Sequence, residues 1–138
     1  MPTDALVVAR DLMMATKEMG FEHIESQAWE LGRQVRQYMC EEKGLVSVAA
    51  PGFEAPGVVV VHHDDAGVAG KFAAAGTQIA AGVPFMIGEA EGTKTFRIGL
   101  FGLDKLKDPT VTVGHLRRAL EQAVPSAGAQ HFNASNGY

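Results

Sequence analysis

The chain of 138 residues is short of several things, and each shortage removes a class of function. It holds one cysteine, Cys40, so no disulfide can form within it, and that thiol falls inside a helical pattern where a buried, inert role is expected of it. Its twelve basic residues are scattered. The pair Arg117 and Arg118 is too small to build the positive stripe that a phosphate backbone demands, so nucleic acid is excluded as a partner. No apolar run approaches the roughly 20 residues of a membrane span. The stretch MPTDALVVARDLMM has an acid where a signal peptide would want bases, which sets the cytoplasm as the expected compartment. GVAGKF lacks both the four-residue gap and the following Ser or Thr of a phosphate loop. His23, His115 and His131 stand in no serine or cysteine context that would make a triad, and no internal repeat is visible.

What is present is ordinary globular material: 46% hydrophobic and 20% charged residues with a formal charge of -4, long enough for one domain with a real core. Thr3 and Asp4 suit a helix start, and Ala5, Val8, Leu12, Ala15 and Met19 recur at helical spacing until Gly20. Leu6, Ala9 and Met13 widen that stripe. A second helix is predicted from Phe21, Ile24, Ala28, Leu31, Val35 and Tyr38, closing at Lys43 and Gly44. The period then becomes extended. LVSVAA reads as a strand, PGFEAPG as a loop, and VVVV (Val58 to Val61) as a central strand buried on both faces. Asp64 or Asp65 is expected to cap a third helix carrying Val68, Phe72 and Ala75, which ends at Gly76. TQIAAGVPF and KTFRIGLFGLDKL supply two further strands, and Asp108 with Pro109 opens a last helix whose core face is Val113, Leu116, Leu120 and Val124. The expected fold is α+β: a small, mostly antiparallel sheet of about four strands covered by helices and preceded by two long helices. Three segments are drawn, a helical connector over 1–44, a domain over 45–124 and a flexible tail over 125–138.

Two groups of residues carry candidate chemistry. His62, His63, Asp64 and Asp65 are four potential metal ligands in a row, but adjacent strand residues point to opposite faces and cannot converge on one ion. A strand end passing into a helix cap accounts for them, and no metal site is assigned. Arg97 is the second. In strand geometry Phe96, Ile98 and Leu100 share one face while Thr95, Arg97 and Gly99 share the other. A guanidinium there calls for an anion, either Glu89, Glu91 or Asp104 in an internal ion pair, or a ligand carboxylate held bidentately. Gly99 on the same face leaves room for a small molecule.

MPTDAL, APGVVVVHHDD, QIAAGVPF and above all KTFRIGLFGLDKL resemble, in that order, the C-terminal part of class V pyridoxal phosphate aminotransferases of the alanine or serine to glyoxylate or pyruvate kind. The resemblance covers residues 2 to 124. It implies the small domain of a fold type I enzyme, with Arg97 as the residue that binds the substrate α-carboxylate. It also implies that the lysine that carries pyridoxal phosphate lies in a large domain upstream of this chain. None of Lys17, Lys43, Lys71, Lys94, Lys105 and Lys107 stands in the family's setting for that lysine. The expectation is therefore a piece that binds the carboxylate of a small amino acid or 2-oxo acid, contains no catalytic or cofactor-binding residue of its own, and is inactive alone. A missing large domain, supplied by the same or a separate chain, and a homo-oligomer are the expected partners. The alternative is a non-catalytic, stand-alone binding or oligomerisation module.

Overall fold

Helix α1 (Thr3–Met19) has Asp4 in its first turn and Lys17 in its last, as the helix dipole favours, and it stops where Gly20 takes a φ of 87°. The computed structural model describes residues 3–83 and 87–125. The expected tail from 125, beyond Pro125 itself, lies outside them, as do Pro84, Phe85 and Met86 of the predicted TQIAAGVPF strand.

Helix α2 (Phe21–Arg36) runs on into a π-helical turn over Gln37–Glu42, closed by the Lys43 N–H donating to the Tyr38 carbonyl at 3.1 Å. The whole helical stretch ends at Gly44 as expected, but its last turn is wider than an α-helix. One consequence is that the adjacent residues Tyr38 and Met39 are both buried. Leu31 and Val35 join them in the core, and Ile24 and Ala28 pack against it. Phe21, predicted on that same stripe, is 67% exposed, because it stands at the α1–α2 corner beyond the reach of the sheet.

Among the described residues the sheet has three antiparallel strands, β1 (Val58–His62), β2 (Ala80–Ala81) and β3 (Thr95–Gly99), in the order β1-β3-β2. This corrects the expected four. LVSVAA contributes a single bridge, Ser47 to Val61, flanked by the Val48 and His62 amide bonds to Val60 and Val46. The chain then bends, with the Ser47 hydroxyl donating to the Ala49 carbonyl at 3.1 Å, and Pro51 has no N–H with which to resume a ladder. The middle strand is β3, not VVVV, and β1 buries Val59 and Val61 while Val58 and Val60 stay half-exposed. TQIAAGVPF pairs only at Ala80 and Ala81, opposite Arg97 and Phe96.

Helix α3 (Val68–Ala74) lies between β1 and β2. Asp65 sits two residues before its Gly67 N-cap; its carboxylate accepts from the Gly67 N–H at 2.7 Å and pairs with Lys71 at 2.6 Å. Those donors hold the Asp65 carboxyl below its ordinary range. A depressed folded value stabilises above the unfolded pKa of about 3.9 and is lost as pH falls through the folded one. Asp65→Asn should therefore lower the urea midpoint at neutral pH, and the two midpoints should converge on acidification.

KTFRIGLFGLDKL is not one strand. After Gly99 the chain turns at Gly102, φ 119°, into one helical turn, α4 (Leu103–Leu106), which buries Leu106. Helix α5 (Pro109–Ala123) begins as predicted, with Pro109 in its first turn and the Asp108 carboxylate accepting from the Val111 N–H at 3.1 Å. Asp108→Ala should cost about 1 kcal/mol by urea unfolding. Val113, Leu116 and Leu120 are buried and Val124 packs against them. The helices α2, α3 and α5 thus cover one face of the sheet, over Phe72, Phe96 and Ile98. The architecture is α+β.

Candidate functional site

Alternation along β3 decides where its side chains go. Phe96 and Ile98 are buried under the helices with Leu100 just beyond them, while Arg97 and Gly99 are exposed on the opposite face. Register places Val60 of β1 on one side of Arg97 and Ala80 of β2 on the other. Directly opposed residues share a face, so the guanidinium rises from an apolar floor of Val58, Val60 and Ala80. Thr95 and His62, opposed to each other, are the other polar residues of that face.

The internal ion pair weighed for Arg97 is not formed among the described residues: Asp104 meets Lys105 at 3.6 Å, and neither Glu89 nor Glu91 reaches the guanidinium. Of the other arginines, Arg10 pairs with Asp11 at 2.7 Å, while Arg118, like Arg97, is exposed and in no ion pair among the described residues. Arg33 grips Glu30 at 2.7 Å, and with Gln34 it holds that carboxyl down to about 2. Arg36 donates to the Val58 carbonyl at 2.9 Å and to that of Ala55, tying α2 to the loop that feeds β1. Arg117 pairs with Glu42 and stacks 4.2 Å above the Tyr38 ring.

His63 and the acids beside it have local partners. The Asp65 N–H donates to His63 Nδ1 at 3.0 Å, the His63 ring leans on Phe96, and the Asp64 carbonyl accepts from Lys94 Nζ at 3.2 Å. Among the described residues no group of three or more His, Cys, Asp or Glu side chains is placed to hold a metal. Cys40 is half-buried, and burial pushes its thiol up, away from the thiolate that a nucleophile needs.

Lys71 is tied to Asp65, Lys105 to Asp104 and Lys94 to a backbone carbonyl, Lys43 lies over Tyr38, and Lys17 and Lys107 are exposed. None shares the β3 face with Arg97.

Two features escaped the sequence. Val60 and Ala80 flank Arg97 only because of strand pairing, for which the residues carry no local signal. A cleft of about 540 Å³ opens where β2 stops short, lined by Thr77, Gln78, Gly99, Leu100, Thr112 and His115 among others. No helix among the described residues is long and apolar enough to cross a membrane. Compared with models of known protein families and with curated proteins, the chain matches none.

Proposed function

We propose that this chain is the C-terminal, substrate-carboxylate-binding domain of a class V pyridoxal phosphate aminotransferase, and that it is inactive by itself. The whole enzyme would exchange an amino group between a small amino acid and a 2-oxo acid. Here Arg97 anchors the carboxylate, and the cofactor and its lysine belong to a large domain that this chain does not contain. The motif KTFRIGLFGLDKL supports the reading. The observation that carries it is the placement of Arg97: exposed, on the middle strand, with no ion pair among the described residues, between the apolar ladder partners Val60 and Ala80. A planar fork in that setting offers a carboxylate two parallel hydrogen bonds. Mixed with pyridoxal phosphate, alanine and glyoxylate, the pure chain should give no turnover, yet Arg97 should respond saturably to pyruvate in an NMR titration. Turnover, or an unresponsive Arg97, would overturn the reading.

A second reading, a stand-alone oligomerisation module, is favoured by α1. It contains no buried residue and exposes Leu6, Val8, Leu12 and Met13 on one wide stripe. An isolated helix of this length is marginal in water without burial. Covering those exposed side chains would contribute to the ~800 Å² that each partner gives to a standard interface. A second copy supplies the matching stripe. Sedimentation should show a concentration-dependent dimer that the double variant Leu6→Lys, Leu12→Lys converts to monomer; a wild-type chain monomeric at every concentration would sink this reading.

A further inference from the structure

We infer that Gly99 is a specificity-determining residue of the Arg97 site, where its missing side chain makes room for the α-carbon of a bound 2-oxo or 2-amino acid. The inference rests on the carboxylate reading above and goes beyond it in assigning the place of the ligand's carbon skeleton.

A glycine inside a strand weakens it, since it gives up conformational entropy and leaves nothing to pack across the ladder. It is kept where the backbone must take a left-handed turn, where a neighbour would collide with a Cβ, or where something approaches the backbone closely. Gly99 meets neither of the first two conditions. Its φ lies outside the left-handed range, unlike those of Gly20, Gly44 and Gly102. A Cβ built on it would meet no atom within 4 Å, whereas one on Gly82 of the neighbouring segment would run into the Thr95 side chain. The cross-strand residue is Val58, a partner against which a β-branched side chain would pack well. The fold therefore makes no demand for glycine here, and the third condition remains.

The position suits a ligand. Gly99 is two residues from Arg97 on the same face, about 6.6 Å along the strand. A carboxylate seated on the guanidinium puts its first carbon substituents over neighbouring strand positions. On the β1 and β2 sides these are Val60 and Ala80, which carry side chains. Along β3 the way is open over Gly99. There β2 has already ended at Ala80, so no ladder partner stands on that side of Gly99.

The test compares two acids on the full chain by ¹H–¹⁵N NMR titration, read at the Arg97 side chain and, in every variant, at the backbone N–H of residue 99. Formate has a carboxylate and no carbon skeleton; pyruvate has both. For Gly99→Val the expected result is formate affinity within twofold of wild type, pyruvate weakened at least tenfold, and a urea midpoint no lower than wild type. Arg97→Ala should lose both acids. Pyruvate binding within twofold of wild type in Gly99→Val would overturn the inference while leaving the carboxylate reading intact, and so would a lowered urea midpoint, which would show that the strand needs the glycine. No saturable response to formate in the wild-type chain would overturn the carboxylate reading itself, and this inference with it.

Discussion

Arg97→Ala should abolish saturable binding of small carboxylates and leave the fold unchanged. The first half follows from chemistry: alanine removes both the charge and the pair of parallel donors, the ladder partners Val60 and Ala80 offer no side-chain donor in their place, and the Thr95 hydroxyl on that face carries no charge. The second half follows from exposure. Arg97 sits in no ion pair among the described residues, so its loss leaves no buried charge stranded, and urea unfolding should shift by no more than about 0.5 kcal/mol. Arg97→Lys separates charge from geometry. An ammonium keeps the attraction but not the planar fork, so binding should survive in weakened form and fall further as salt is added. Formate and pyruvate titrations of the three chains at two ionic strengths check the series. Equal affinity in all three would show that the guanidinium is a bystander.

Phe96→Ala costs about 3–5 kcal/mol, enough to consume a large share of the roughly 5–15 kcal/mol that holds a domain of this size together. Phe96 is fully buried beside Arg97 in sequence but on the opposite face. Its ring centroid lies 5.6 Å from Phe72 and 5.7 Å from His63, both tilted, and Val61 and Ala81 are its cross-strand partners. Truncation opens a cavity at the junction of β1, β3 and α3 and breaks two aromatic contacts together. Phe53→Ala is the control: that ring is 83% exposed in the 51–57 loop, and its loss should move the urea midpoint little. A Phe96→Ala chain as stable as the Phe53→Ala chain would mean that the core is not centred on β3.

How far such effects could be foreseen without coordinates differs from element to element. The ends of α1 at Gly20 and of α5 at Asp108 and Pro109 were readable because a positive-φ glycine and an N-cap act within a few residues of themselves. The split of β3 into a buried Phe96–Ile98 side and an exposed Arg97–Gly99 side was readable for a similar reason, since successive side chains of any strand alternate. The failures share a different cause. LVSVAA has the composition of a strand, but it makes one bridge because Ser47 turns its hydroxyl back on the chain and Pro51 follows. Leu103–Leu106 was absorbed into a strand because its apolar residues continue the preceding run, and only the turn at Gly102 separates them. Phe21 lies on the correct stripe of α2 yet is exposed, because no sheet extends beneath that end of the helix.

By itself the sequence determined the local elements, the two sides of each, and the presence of a single guanidinium on the outward side of an apolar strand. Those properties depend on φ/ψ preference, capping and side-chain period, all of which act over a handful of neighbouring residues. Tertiary structure alone decided that β3 would be the middle strand, that Val60 and Ala80 would flank Arg97, and that none of the nearby acids would reach it. Strand order joins residues tens of positions apart, and ion pairing depends on where the loops carry their acids. Their outcome is set by which apolar faces can be buried together, and no short stretch of the chain encodes that on its own.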